Sequence, residues 1–421
     1  MARSETVSTN LFLKLVRGGL WGHTETTEST EIACQARNED VDWGEVYRLA
    51  EEQSVVGLVA AGIDTVNGSW LKVHGSSFVP QEWALQFIGQ TLQIEQRNKA
   101  MNAFVAELIE RLRKADIYAV LVKGQGIAQC YEKPLWRASG DVDLLLSDTN
   151  YEKAKALLVP LATDVETEYT HFKHLGMTID GWVVELHGTL HSRLSARVDR
   201  MIDDVQGDVF YGGQVRSVEF KSSNGSSTSE ATKSMTRVQV FLPGPDCDVI
   251  FLFTHILHHY FFEGIGLRQF CDLCRFLWTY REELNVTLLE KRLREMRLMT
   301  EWKTFAAFAV DYLGMPVEAM PLYDNGSRFK VKGSKMMEFV MKVGNFGHNR
   351  ELRAKNAELR AKNAELRAKS CRAKGYFWRK FKSFWGRLSD MLRHFRIFPL
   401  DSIRFFGGVL RSGLHAVVRG E

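Results

Sequence analysis

The feature of the sequence that most constrains the fold is the alternation of acidic and apolar residues from Asp141 to Leu144. Successive side chains of a β-strand point to opposite faces of a sheet, so Asp141 and Asp143 share one face while Val142 anchors the other. Two carboxylates held this close repel each other, and a divalent cation such as Mg²⁺ between them removes the repulsion. The pattern therefore predicts a strand with a metal-binding edge. An acidic strand end that faces solvent is the alternative interpretation.

A second feature, a glycine turn after a short apolar segment, lies just upstream. Residues 119–122 predict a buried strand that runs into Lys123 and Gly124, and residues 127–131 predict a short helix after the turn. Backbone N–H groups at the start of a helix bind anions, and Lys123 adds a mobile positive charge there. The loop at 132–140 returns the chain to the acidic strand. An anion-binding turn and a metal-binding strand are therefore expected side by side.

The spacing of these residues resembles that of the nucleotidyltransferase fold of the DNA polymerase β superfamily. The segment K-G-x-x-x-A…Y…P…R-x-S-G-D-x-D-L-L is more similar still to the branch of bacterial proteins usually called uncharacterised nucleotidyltransferases. The matching positions are Lys123, Gly124, Tyr131, Pro134, Arg137, Gly140, Asp141, Asp143 and Leu144. The sequence departs from the wider superfamily at the first turn. Gly124-Gln125 stands there in place of the usual Gly-Ser pair, whose serine touches the distal phosphates.

The resemblance implies a third carboxylate on a neighbouring strand, and Glu185 within residues 183–187 is the matching position. It implies an α+β fold, with a small mixed β-sheet nucleotidyltransferase core flanked by N-terminal and C-terminal helical segments. The implied reaction moves a nucleotidyl group from an NTP to an acceptor that the residues do not identify. The implied catalytic residues, which would also hold two Mg²⁺ ions, are Asp141, Asp143 and Glu185. The implied nucleotide-binding residues are Lys123, Gly124, Arg137, Ser139 and Gly140.

Changes in apolar periodicity divide the 421 residues into four predicted regions. Apolar residues recur at helical spacing in the first and third regions, and strand-like segments lie between them. The pair Asp180-Gly181 predicts a β-hairpin, and the serine-rich tract at 222–227 predicts a loop. The regions are an N-terminal helical region at 1–115, a nucleotidyltransferase-like α/β core at 116–244, a C-terminal helical domain at 245–345, and a heptad-repeat and basic tail at 346–421.

Cysteine and histidine residues give weaker signals. Cys271 and Cys274 have a zinc-like spacing, but no second pair accompanies them, so free cysteines in a reducing cytosol are expected. His255 and His259 are four residues apart, and a packing role is expected because no HExxH glutamate accompanies them. His259 and Asp272 also resemble the family's helical half, which implies a place facing the substrate cleft.

The N-terminus lacks the pattern of a secretory signal peptide, so a cytoplasmic protein is expected.

The tail carries a heptad repeat and a strong positive charge. The unit Glu-Leu-Arg-Ala-Lys-Asn-Ala at 351–357 recurs at 358–364 and, truncated, at 365–369. The repeat predicts a solvated helical spacer. Coiled-coil dimerisation is the alternative, although one leucine and one asparagine per heptad would give only a small apolar interface. Residues 350–421 contain 18 Lys and Arg against 6 Asp and Glu, so this segment has a net charge of +12 and the rest of the chain −8.

An aromatic and basic segment at 375–398 follows the repeat. Its aromatic residues recur at helical spacing with Lys and Arg between them, which is typical of a helix on an anionic membrane surface. A helix docked on the body is the second interpretation. Nucleic-acid binding is the third, and no sequence-specific recognition is expected. The tail leaves open an alternative function: a non-catalytic adaptor with the nucleotidyltransferase fold, peripheral at the inner face of the membrane, in cell-envelope polysaccharide assembly.

Overall fold

The computed structural model describes residues 2–22, 41–67, 78–168, 173–222, 236–345, 395, 397 and 398. These residues form the predicted α+β fold. A five-stranded mixed sheet lies in the middle of the chain, and helical segments precede and follow it.

The segment before the sheet is helical. It contains α1 (Ala2–Trp21), α2 (Trp43–Glu52), α3 (Val56–Asn67) and α4 (Gln81–Lys114). Glycines let α1 and α3 approach closely. A Cβ on Gly19 would lie 2.0 Å from the carbonyl oxygen of Leu58, and one on Gly62 would lie 1.9 Å from that of Leu15. Only glycine tolerates such a contact between backbones.

The sheet has the strand order β1-β2-β5-β4-β3. Its strands are β1 (Ala119–Val122), β2 (Asp141–Leu146), β3 (Asp164–Val165), β4 (His174–Ile179) and β5 (Trp182–His187). β2 pairs in parallel with β5, and the other pairings are antiparallel. Asp180 and Gly181 both have positive φ angles, 51° and 80°, as the two central residues of a type I′ hairpin turn require.

Short elements connect the strands and extend the core. They are α5 (Gly124–Ala128), a 3₁₀ turn (Pro134–Trp136), α6 (Asp148–Leu158), a 3₁₀ turn (Val159–Leu161), α7 (Ala196–Phe210), and the paired strands β6 (Val215–Lys221) and β7 (Arg237–Pro243). One face of the five-stranded sheet is apolar. There Val142, Leu144 and Leu146 are buried in one hydrophobic cluster with residues of α4 and α6. The acidic side chains of β2 belong to the opposite face.

The segment after the sheet is again helical. It contains α8 (Pro245–Phe262), α9 (Leu267–Thr279), α10 (Val286–Met296), α11 (Met299–Leu313), a 3₁₀ turn (Val317–Ala319) and α12 (Ser327–Val343). α1 is tied to the end of α11, because Arg17 Nε donates to the carbonyl of Tyr312 at 2.9 Å and Trp21 Nε1 to that of Leu313 at 2.7 Å. Buried residues of both helical segments belong to one hydrophobic cluster.

The predicted tail lies almost wholly outside the described residues, which include neither the heptad repeat at 351–369 nor most of 375–398. Ile397 and Phe398 are buried. The Phe398 ring centroid lies 6.1 Å from that of Tyr260 and 5.9 Å from that of Phe261. At this point the chain contacts α8. Within the described parts of the protein, every helix is too short or too polar to cross a bilayer.

Candidate active site

The turn after β1 places Lys123 beside the acidic strand. Lys123 has a φ of 57°, which is rare for a residue with a side chain, and Gly124 follows with a φ of 33°. Lys123 Nζ lies 2.9 Å from Asp143 Oδ1. Burial alone would lower the pKa of Lys123, but the charges of Asp143 and Glu185 raise it above its ordinary value. The unusual backbone therefore holds an ammonium group against a carboxylate.

The three carboxylates singled out in the sequence come together on one face of the sheet. In the parallel pair of β2 and β5, Asp143 lies opposite Glu185, and Asp141 precedes Asp143 by two residues on the same face. Asp143 is only 3% exposed. The charge of Asp143, followed by burial and the charge of Glu185, raises the pKa of Asp141 to about 6. A bound cation would remove this repulsion.

Two histidines that sequence reasoning did not place in the site lie next to these carboxylates. His187 Nε2 is 2.8 Å from Asp143 Oδ1 and 3.4 Å from Glu185 Oε2. His174 Nε2 is 3.3 Å from the same oxygen of Glu185. Burial opposes ionisation of Glu185, yet its contacts with His174 and His187 hold its pKa below the ordinary value. Burial also opposes the charged form of His187 and lowers its pKa. The contacts with Asp143 and Glu185 outweigh burial, so the pKa of His187 is raised.

The loop before β2 is held to α9 by a buried ion pair. Arg137 donates from Nε and Nη2 to the two oxygens of Asp272, at 3.0 and 2.6 Å, and from Nη1 to Ser139 Oγ at 2.7 Å. Tyr131 donates its hydroxyl to Asp272 Oδ1 at 2.8 Å. Burial lowers the pKa of Arg137, but Asp272 more than offsets this and raises it. Gly140 lines the cavity described below.

A further arginine in the site comes from the first turn of α9. Arg268 Nη1 donates to the carbonyl of Ala138 at 3.0 Å, whereas the buried Nε has no acceptor. Among the described residues no carboxylate forms an ion pair with Arg268. Burial, followed by the charge of Arg137, lowers the pKa of Arg268. No local motif marks this residue in the sequence, because its position depends on how α9 packs against the loop.

These groups surround a cavity of about 390 Å³, a volume in the usual range for small-molecule sites. The carboxylates, Lys123, Gly124 and Arg268 line it, and α8 adds His255 and His259 to the lining. His255 Nε2 lies 3.1 Å from His259 Nε2. Burial, with the charge of Lys123, holds the pKa of His255 well below its ordinary value, and burial lowers that of His259.

The donor set fits a divalent metal ion. Carboxylate oxygens bind Mg²⁺, and Asp141, Asp143 and Glu185 offer such oxygens in one cavity. His174, Glu185 and His187 form a second group whose ligand atoms all lie within 4.8 Å of one another. Cys271 and Cys274, in contrast, are fully buried inside α9.

Carboxylates on two adjacent strands beside a lysine and a glycine turn are the arrangement expected of a nucleotidyltransferase. A family model described as "Uncharacterised nucleotidyltransferase" matches residues 39–314, more than half of the 421 residues. The chain belongs to this family, as the sequence motif predicted. The match begins just before α2, ends just after α11 and contains every residue that lines the cavity. Searches of curated proteins and of solved structures found no match.

Proposed function

We propose that the protein is a metal-dependent nucleotidyltransferase that moves a nucleotidyl group from an NTP to the hydroxyl of an acceptor and releases pyrophosphate. The observation that carries this proposal is the register of β2 and β5, which sets Asp143 opposite Glu185 with Asp141 on the same face. Membership of the nucleotidyltransferase family supports the reaction class. The cavity is large enough for a small-molecule substrate and is lined by charges of both signs.

In this mechanism Asp141 and Asp143 would hold the metal ions, and Glu185 would complete the site for the ion that activates the acceptor hydroxyl. Two such ions, when bound, stabilise the charge on the attacking and leaving oxygens of an in-line displacement. The raised pKa of Asp141 supports this role, because it reports the repulsion that metal binding would relieve.

The phosphates of the nucleotide would be bound by the cationic part of the cavity. Lys123 and Arg268 supply the charges, and Gly124 and Gly140 leave room on the cavity wall for the substrate to approach. A guanidinium group with a free N–H suits a phosphate oxygen. Arg137 and Ser139 would act less directly in this scheme, because Arg137 directs its donors to Asp272, Ser139 and a backbone carbonyl.

The test is a thermal-shift titration of the full-length protein against the four NTPs, with and without Mg²⁺, beside Asp141→Asn. A ligand that binds only the native state stabilises it by ~2.7 kcal/mol at a hundredfold excess over Kd. We expect a Mg²⁺-dependent shift that the variant loses. Asp164→Asn, an exposed acid on β3, is the control and should behave as the wild type. Turnover should be abolished in Asp143→Asn, and unchanged turnover there would overturn the proposal.

The second candidate function is a non-catalytic adaptor with this fold, and two contacts of the site favour the absence of catalysis. Lys123 already pairs with Asp143, and His187 contacts the same oxygen, so the protein itself supplies partners for this carboxylate. Gln125, where the wider superfamily usually has serine, is 1% exposed and donates to Asn98 Oδ1 at 2.9 Å. The adaptor predicts no NTP-dependent shift, and loss of cellular location when the chain is cut after residue 349.

A further inference from the structure

We propose that His174, Glu185 and His187 bind a first-row transition-metal ion of the Zn²⁺ or Co²⁺ type in preference to Mg²⁺. The inference deepens the proposed function, because it names the ion for the position beside the acceptor. It can nevertheless be tested without a nucleotide, since metal binding by the protein is measurable on its own.

The spacing of the ligand atoms supports a shared ion. Glu185 Oε2 lies 3.3 Å from His174 Nε2 and 3.4 Å from His187 Nε2. Both distances exceed the 2.7–3.2 Å of ordinary N–H···O hydrogen bonds. Ligands held about 2.0–2.2 Å from a tetrahedral ion lie about 3.3–3.5 Å apart, which is the separation of Glu185 from each histidine. All three ligand atoms lie within 4.8 Å of one another, and His187 Nε2 also lies 2.8 Å from Asp143 Oδ1.

The hairpin of β4 and β5 fixes this arrangement. The two-residue turn at Asp180 and Gly181 sets the register, in which His174 lies opposite His187. Glu185 precedes His187 by two residues, so all three side chains project from the same face. The imidazole centroids are 4.8 Å apart, with the rings inclined by 33°. A slip of one residue would move one strand's ligands to the apolar face, so the turn also determines the metal site.

The chemistry of the donors sets the preference. Imidazole nitrogen suits Zn²⁺ and its neighbours in the first row, whereas Mg²⁺ prefers oxygen ligands and keeps several waters. Two of the three donors in this group are imidazoles. Asp141 and Asp143 instead offer only oxygens, which suit Mg²⁺ on the nucleotide. The cavity would therefore contain two unlike metal positions, one of mixed nitrogen and oxygen donors and one of oxygen alone.

The experiment measures metal binding to the metal-free, full-length protein by calorimetry with Zn²⁺, Co²⁺ and Mg²⁺ in the absence of nucleotide. We expect Zn²⁺ and Co²⁺ to bind more tightly than Mg²⁺. Replacement of residues that merely orient ligands costs 10–100-fold in affinity, so loss of a direct ligand in His174→Ala should cost at least about tenfold for Zn²⁺. His174→Asp replaces nitrogen by oxygen and should shift the preference towards Mg²⁺ while preserving the fold.

Two further histidines of the same cavity provide matched controls. His191 contacts Asp203 at 2.6 Å, and His255 lies on α8 rather than on the hairpin of β4 and β5. His191→Ala and His255→Asn should keep the wild-type affinity for Zn²⁺. The visible absorption of bound Co²⁺ gives an independent readout, because replacing nitrogen by oxygen in His174→Asp changes the ligand field.

Three results would overturn the inference: Mg²⁺ binding as tightly as Zn²⁺, no change in His174→Ala, or loss of Zn²⁺ binding in His255→Asn instead. The melting temperature of each metal-free variant shows whether it is folded. If His174→Ala is unfolded, the metal preference of His174→Asp tests the inference instead. Failure of the proposed function has a different signature. Zn²⁺ would then bind and depend on His174, while no NTP stabilises the protein.

Discussion

Arg268 is a cation in the cavity wall. Its guanidinium donates one hydrogen bond to a backbone carbonyl, and its buried Nε has no acceptor. Burial and the nearby charge of Arg137 outweigh the favourable charges of Asp272 and Asp141, so this cation lowers the stability of the unliganded protein. A phosphate bound in the cavity would supply a further negative charge. Arg268→Gln should therefore leave the unliganded protein as stable as the wild type or more stable, and weaken binding of Mg²⁺-NTP about tenfold or more, since hydrogen bonds to charged groups contribute ~1.5–3 kcal/mol. Thermal unfolding and calorimetry measure the two effects.

The matched control is an arginine that is buried, paired and outside the cavity. Arg292 Nη2 lies 2.6 Å from Asp208 Oδ2, and its Nη1 donates to the carbonyl of Asp246. Arg292→Gln should lower the free energy of unfolding by about 1–3 kcal/mol and leave nucleotide affinity unchanged. If Arg268→Gln instead destabilised the unliganded protein and left nucleotide affinity intact, Arg268 would be a structural residue.

Arg137, unlike Arg268, is paired with a carboxylate: its guanidinium forms a bidentate ion pair with Asp272. Lysine keeps the charge but cannot reproduce this planar fork. We expect Arg137→Lys to lower the free energy of unfolding of the unliganded protein by about 1–3 kcal/mol, because the ion pair exists before any substrate binds. Urea denaturation without nucleotide measures it. An arginine that only bound phosphate would leave this unliganded stability unchanged.

At the scale of elements, α8 makes the stability of the protein sensitive to acid. Burial is the main cause of the low pKa of His255 and His259 on this helix. The folded state therefore resists protonation, while the unfolded chain binds protons near pH 6.5. Stability is fully present above that pH and is lost as the pH falls below it, by up to about 1.4 kcal/mol per unit for each histidine.

A single variant on α8 isolates this effect. His255→Asn removes one group that must stay neutral in the fold, so its unfolding free energy should decrease less than that of the wild type between pH 7 and pH 5.5. Urea denaturation at the two pH values gives both numbers. Equal losses in the two proteins would show that His255 contributes nothing to the acid sensitivity.

The elements also show how far the sequence determines the site. The alternation at Asp141 and Asp143 and the turn at Asp180-Gly181 are local signals, and both elements are present. The same turn also sets the register of the hairpin. Counting residues outward along both strands from Asp180-Gly181 pairs His174 with His187. His174 could thus have been identified from the sequence by extending the hairpin register to its end.

Arg268 could not have been identified in that way as part of the cavity wall around the carboxylates, and only the family resemblance points to Asp272. They lie on α9, more than a hundred residues after β2, and no spacing rule relates them to it. Their positions depend on the contacts of Asp272 with Tyr131 and Arg137, which form only when α9 packs against the loop before β2. Likewise, the parallel register of β2 and β5 pairs Asp143 with Glu185, and no local signal in the sequence relates these two residues.

At the scale of the whole molecule, the end of the described chain is anchored to the helix that forms the cavity wall. Phe398 is 1% exposed and contacts Tyr260 and Phe261 of α8, directly after His259. This contact supports the interpretation of a docked tail at that point. Removing a buried phenylalanine side chain costs about 3–5 kcal/mol, so Phe398→Ala should lower the unfolding free energy by an amount of this order.

Two truncations separate docking from attachment to a membrane. A chain that ends at residue 349 lacks Ile397 and Phe398, whereas one that ends at residue 400 keeps both. If docking stabilises the body, the shorter chain should unfold at lower urea concentration and the longer one should match the full chain. Because α8 carries both the anchor and His259, the shorter chain should also bind Mg²⁺-NTP more weakly. Equal stability of the two truncations, with anionic vesicles binding the full chain and the longer truncation but not the shorter one, would instead favour the membrane.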